Sequence, residues 1–298
     1  MVTVLTLVFL LVRVAPGDPA TAALGDYASK EALEAFRKRM GLDAPLLLQY
    51  FRYISGICRG DLGRSLITGI PISSLVASAL PYTLELTFAG VIIGTILGIP
   101  FGVFSAIRRN TFLDYLSRTF SLAGLSVPAF YLGILLILLF AVRLRFFPAV
   151  GAGSFSEPLN HLHYLFLPAL TLGLIMTAFI VRISRSAMLN ILREEYIRTA
   201  RSKGLPERRV LFVHALKNAL IPIVTIIGIY SVVLIGSSVM TEIVFSRPGL
   251  GKLLVGAMKN RDYTTLQSLM VVYTGFVVFM NLFTDLVYCF IDPRISYE

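Results

Sequence analysis

The feature that most constrains this chain is a series of apolar runs, each long enough to cross a lipid bilayer. A hydrocarbon core about 30 Å thick takes roughly 20 consecutive apolar residues as a helix. Four uncharged runs meet that length: Leu86–Ile107, Thr119–Val142, Asn218–Thr241 and Tyr263–Thr284, the last continuing through Asp285 to Ile291. A fifth, Tyr164–Val181, lies at the short end of the range. Inside lipid the backbone must satisfy its own hydrogen bonds, so such runs are helices. A mean hydropathy of +0.78 with only 15% charged residues also fits no ordinary soluble domain, in which about a quarter are charged. The expectation is an all-α membrane protein.

The first run, Met1–Val12, is too short to span alone. A signal peptide, a buried helix and a first span lacking its opening turns compete for it. Ala20-Thr21-Ala22 resembles a small-residue cleavage site, yet no positive n-region precedes the run. The truncated span is preferred, which makes six transmembrane helices. Arg108, Arg109 and Arg118 flank the second-to-third connection, and Arg182, Arg185, Arg193, Arg198, Arg201, Lys203, Arg208, Arg209 and Lys217 crowd the fourth-to-fifth. The positive-inside rule makes that side cytoplasmic, outweighing Arg143 and Arg145 opposite, and both termini then lie inside. The net charge of +10 is thereby read as topology, and no nucleic acid is expected as a partner. Cys58 and Cys289 fall toward opposite sides of the membrane and are not expected to pair.

The polar stretch before Tyr82 is then extracytoplasmic. It holds one well-marked helix, Lys30–Met40, with Ser29 as N-cap, Glu31 and Glu34 early, Arg37-Lys38-Arg39 late and Gly41 just beyond. In the second span Gly90, Gly94, Gly98 and Gly102 recur at i+4, a stripe that lets another helix approach closely. Two readings stay open for it, fixed packing and a surface along which helices slide. Pro100 and Pro128 are expected to kink their helices. Asn281 and Asp285 share a face deep in the sixth span and form a possible intramembrane polar site. Glu85 is expected to reach the membrane interface, and His161 and His163 are expected in solvent on an outer loop.

No metal site and no catalytic constellation is found. Gly251-Lys252-Leu253 lacks the upstream glycine and the hydroxyl residue of a phosphate loop, and HExxH, GxSxG and paired-carboxylate patterns are missing. The most informative stretch is Arg193–Pro222. It reads as two short helices broken at Gly204-Leu205-Pro206, with Gly204 as a left-handed stop, Pro206 in the next first turn, and small Thr199 and Ala200 offering close approach to a partner.

This stretch resembles the cytoplasmic EAA loop of permease subunits in ABC importers, and more closely that of the dipeptide, oligopeptide, glutathione and nickel branch. Arg198-Thr199-Ala200 stands where the generic motif has Glu-Ala-Ala, Gly204 matches its glycine, and His214-Ala215-Leu216-Lys217 replaces Ile-x-Leu-Pro. The resemblance continues through Pro16-Gly17-Asp18-Pro19, Met40-Gly41-Leu42-Asp43, Gln49-Tyr50, Gly60-Asp61-Leu62-Gly63, Thr83-Leu84-Glu85-Leu86, Phe245-Ser246-Arg247-Pro248-Gly249-Leu250-Gly251, Arg261-Asp262-Tyr263 and Asp292-Pro293-Arg294.

The resemblance implies a type I ABC importer permease fold. Its layout would be a truncated first span at 1–14, an extracytoplasmic segment at 15–82, a permease domain at 83–291 with a coupling loop at 182–217, and a cytoplasmic tail at 292–298. It implies a second homologous permease, two cytoplasmic ATPases that keep ATP and Mg, and an extracytoplasmic binding protein, in a bacterial inner membrane. No cofactor is then expected in this chain. The ATPase-coupling residues would be Glu195, Tyr196, Arg198, Thr199, Ala200, Lys203, Gly204 and Leu205. Peptides are the first choice of cargo, with nickel and glutathione open. The rival of another class, a secondary transporter or channel, would need intramembrane acids or inverted repeats.

Overall fold

The long apolar runs other than Thr119–Val142 each form one helix, and several helices extend well beyond the run that marks them. A computed structural model describes residues 2–14, 19–24, 28–41 and 43–291. The expected tail at 292–298, with Asp292-Pro293-Arg294, lies outside the described residues, as do Pro16-Gly17-Asp18 and the Cys289 side chain. In chain order the helices are α1 (Val2–Val14), α2 (Pro19–Leu24), α3 (Lys30–Met40), α4 (Leu46–Cys58), α5 (Ile72–Ile107), α6 (Phe112–Ser126), α7 (Ala129–Leu136), α8 (Pro158–Ile191), α9 (Glu195–Ser202), α10 (Glu207–Arg209), α11 (Leu216–Val244), α12 (Leu250–Lys259) and α13 (Tyr263–Ile291). Wider π turns continue α7 over Ile137–Arg143 and join α10 to α11 over Val210–Ala215.

Among the described residues, four helices are long and apolar enough to cross a membrane: α5, α8, the continuous stretch Glu207–Val244, and α13. Helices α6 and α7 meet the same test only together, as a span bent by 109°. Thr119–Val142 is therefore not one kinked helix. Pro128 cannot donate to the helical ladder and pushes the residue before it out of the helical region. Val127 accordingly sits at ψ 123° and ends α6. Pro100 does not interrupt α5. Helix α1, at 13 residues, is about 20 Å long, short of a bilayer core.

The chain packs as two compact units, Met1–Tyr82 with Pro248–Phe279, and Thr83–Arg247 with Met280–Glu298. In the first, Phe9 of α1 meets Tyr50 of α4 edge-on at 5.4 Å, and the Thr6 and Tyr50 hydroxyls share a 2.7 Å hydrogen bond. Helix α3 is closed as its sequence predicts. The Ser29 hydroxyl accepts from the Ala32 amide, and Gly41 turns left-handed at φ 66°. Ile72, Val76, Ala79, Leu250 and Leu269 form the apolar core of this unit.

A single carboxylate organises the polar part of the first unit. Asp262, nearly buried, follows the left-handed residue Arg261 (φ 52°) that ends α12. It caps α13 by accepting from the Thr265 amide at 3.2 Å and hydroxyl at 2.7 Å. The same carboxylate accepts from Ser65 Oγ at 2.5 Å and from the Leu66 amide at 3.1 Å. One side chain thus ties the loop before α5 to the corner between α12 and α13.

Helix α8 is the centre of the second unit, with two-thirds of its apolar window buried. The glycine stripe of α5 lies against it in register. A Cβ added at Gly90, Gly94, Gly98 or Gly102 would fall 2.9, 2.5, 2.5 or 2.6 Å from the Cβ of Leu172, Met176, Ile180 or Ser184. Both rows advance by four residues, so each missing side chain is filled by one of its neighbour's. In this conformation α5 and α8 approach closely along the stripe.

Candidate functional site

The ordered break anticipated in the basic stretch is present. Helix α9 ends in a Schellman motif, with the Gly204 amide donating to Arg201 O at 2.9 Å and the Leu205 amide to Ala200 O at 3.4 Å. Gly204 holds φ 77°, and a Cβ there would meet nothing within 4 Å. Its requirement is thus one of backbone, not of space. Pro206 is the N-cap of α10 at ψ 138°, one position before the first turn. Across the break Arg201 grips Glu207 through two hydrogen bonds, of 3.1 Å and 2.7 Å. The pair bridges the two short helices, but it is exposed and contributes only about 0–1 kcal/mol.

The faces of α9 are sharply divided. Ile197 and Ala200 are buried in the second unit's core with Val103, Ala106, Ala187 and Met188. Glu195, Tyr196, Arg198, Thr199, Lys203 and Gly204 are exposed, and Leu205 is half-buried. Ala200 therefore seats the helix on its own chain and does not offer the partner surface expected of it. Tyr196 is steadied by Asn218, whose amide donates to the phenol oxygen at 3.0 Å. Arg198 donates to Glu195 at 3.2 Å. Asn281 and Asp285, the possible intramembrane polar site, share an exposed face of α13.

Two buried polar clusters escaped the sequence reading. In the first, Glu85 joins Arg247, which is fully buried, and His161. His161 Nε2 lies 2.5 Å from the Glu85 carboxylate, and its Nδ1 lies 2.8 Å from Gly153 O. His161 is thus a buried partner and not a solvated loop residue, while His163 is exposed as expected. Glu85 thus pairs inside the second unit with Arg247 and His161. Two residues before Glu85, Thr83 Oγ1 donates to the fully buried Glu242 at 2.6 Å.

In the second cluster, Asp114 is fully buried. Its Oδ1 accepts from Ser105 Oγ at 2.6 Å and from Arg185 Nε at 2.6 Å. Its Oδ2 accepts from Arg185 Nη2 at 2.9 Å and from the Asn110 amide at 3.0 Å. The only signals in the sequence were charged residues at the ends of apolar runs. Among the described residues, no group of three or more His, Cys, Asp or Glu side chains is placed to hold a metal.

Comparison with known proteins follows from this architecture. The family profile described as "Binding-protein-dependent transport system inner membrane component" matches residues 98–297, and the corresponding N-terminal profile matches residues 1–87. A probable peptide ABC transporter permease protein, y4tP of Sinorhizobium fredii, is 43% identical over 97% of this chain and 93% of its own length. The glutathione transport system permease protein GsiC of Escherichia coli K12 is 40% identical over 98% of this chain and 93% of its own. Among solved structures, the inward-facing MetNI methionine ABC transporter matches with a TM-score of 0.59 at 20% identity, over 74% of this chain and 98% of that one. That likeness is one of fold, and it is the fold of a type I importer permease. The chain belongs to the family of inner membrane components of binding-protein-dependent transport systems, and it is a multi-pass permease of an ABC importer.

Proposed function

We propose that this permease, paired with a second homologous one, forms the import path for short peptides, glutathione among them. Its basic loop at 182–217 faces the cytoplasm, both termini lie on that side, and the membrane is the bacterial inner membrane. Two cytoplasmic ATPases bind ATP and Mg, so no cofactor is assigned to this chain. An extracytoplasmic binding protein delivers the cargo. The cargo class is supported by the names of the relatives, a peptide permease and a permease for glutathione, itself a tripeptide.

The observation that carries the reading is α9. A short helix between two long spans anchors Ile197 and Ala200 in its own core while turning Glu195, Tyr196, Arg198 and Thr199 outward. Such a helix is a handle: a partner that grips its outer face moves the spans through its inner one. Closure of the ATPases around ATP then shifts the population of inward- and outward-open states.

Gly204→Leu tests the reading. With φ 77° and open space around it, the substitution adds backbone strain of about 1–2 kcal/mol and no clash. Insertion should be normal, while uptake per ATP hydrolysed falls. Gly69→Leu, at φ 69° and equally open, is the control and should transport normally. Wild-type uptake per ATP in the Gly204 variant removes this segment from coupling.

A further inference from the structure

We propose that Asp114 is a positioning residue for energy coupling, fixing the core that α9 enters so that motion of α9 passes into the spans. The inference rests on α9 being the coupling helix.

The carboxylate is satisfied from three segments at once: Ser105 near the end of α5, the Asn110 amide in the α5–α6 connection, and Arg185 of α8. Each oxygen accepts two hydrogen bonds, and the guanidinium docks side-on with two of its nitrogens, an arrangement that fixes direction as well as distance. Asn110 is itself left-handed at φ 63°, so the carboxylate also holds a turn that a non-glycine residue seldom adopts.

Residues beside the cluster share one apolar core with α9, which itself packs against the turn Val210–Ala215. Val103 and Ala106 flank Ser105 on α5, and Ala187 and Met188 follow Arg185 on α8. All four lie in the core that receives Ile197 and Ala200. The last rung of the glycine stripe, Gly102 against Ser184, adjoins the same clamp. Apolar packing alone would serve stability as well as a buried ion pair or better. What the pair adds is one defined geometry among α5, α6 and α8 beside the core that α9 enters.

The experiment uses the complete importer in proteoliposomes, with binding protein. It measures radiolabelled glutathione or trialanine, whichever the binding protein takes, imported per ATP hydrolysed by assembled complex. Asp114→Asn should assemble and hydrolyse ATP while the ratio drops several-fold. Arg185→Lys keeps the charge but loses the two-nitrogen grip and should lie between, and Ser105→Ala should give a smaller drop in the same direction. A purely structural role would lower the yield of complex and leave the ratio per complex at the wild-type value. A wild-type ratio in all three variants, or failure of all three to assemble, overturns the proposal. If Gly204→Leu uncouples transport while Asp114→Asn does not, this inference alone fails. If neither uncouples, the reading of α9 fails with it.

Discussion

Gly94→Ala isolates the contact between α5 and α8. The new methyl would lie 2.3 Å from Met176 Cγ and 2.5 Å from Met176 Cβ, against an ordinary contact of 3.4–4 Å. Cγ can swing away, but Cβ is fixed to the α8 backbone, so the two helices must part by roughly 1 Å. Overpacking of this kind costs about 1–3 kcal/mol. Alanine also gains up to about 1 kcal/mol over glycine in a helix, which blurs the single measurement. Gly256→Ala in α12 removes that ambiguity, because its methyl meets nothing within 4 Å while the gain in helix propensity is common to both. The difference between the two variants should therefore be about 1–3 kcal/mol. The chain has no tryptophan, so unfolding is best followed on a fluorescent fusion by size-exclusion after graded heating. Gly94→Ala should melt below Gly256→Ala. Along the stripe Gly90→Ala should be mildest and Gly102→Ala severe, since Gly102 also faces the backbone of Val181 at 2.7 Å and Arg185 at 3.1 Å. Equal melting of the Gly94 and Gly256 variants would refute the packing register.

Two further substitutions, with His163→Ala as a control, address the polar clusters. Glu85→Ala removes the carboxylate shared by Arg247 and His161 and should lower stability by about 1.5–3 kcal/mol, read as earlier melting. His163→Ala should have little effect. Asp262→Ala removes the α13 cap and both hydrogen bonds to Ser65 and Leu66. The cap alone is worth about 0.5–2 kcal/mol, and the loop over residues 64–70 should become a site of limited proteolysis while wild type resists.

Elements built from local rules were legible in the sequence. The Ser29 and Gly41 caps, the Gly204 stop and the i+4 glycine stripe each depend on residues within a turn or two, where spacing alone carries the physics. The angle of the α6–α7 break was not legible. Pro128 announces an interruption, while the 109° turn follows from the packing of both pieces. Nor were the buried clusters. Glu85 meets His161 and Arg247 across separations of 76 and 162 residues, and no local pattern distinguishes such a carboxylate from one at an interface. Asp114 meets Arg185 across a separation of 71 residues, which no local pattern spans. Ala200 was misjudged because a small residue suits close approach on either side of a helix, and only the packed core shows which side it faces.

The central claim is that α9 meets the ATPase with one defined face. Single cysteines at Arg198 and Ile197, in a chain carrying Cys58→Ser and Cys289→Ser, test it directly through cross-linking to the ATPase in the assembled importer. Arg198 is 69% exposed in its side chain and Ile197 is fully buried. The account predicts a permease–ATPase product from Arg198→Cys and none from Ile197→Cys. No product from Arg198→Cys in an active complex, or equal products from both positions, would contradict it.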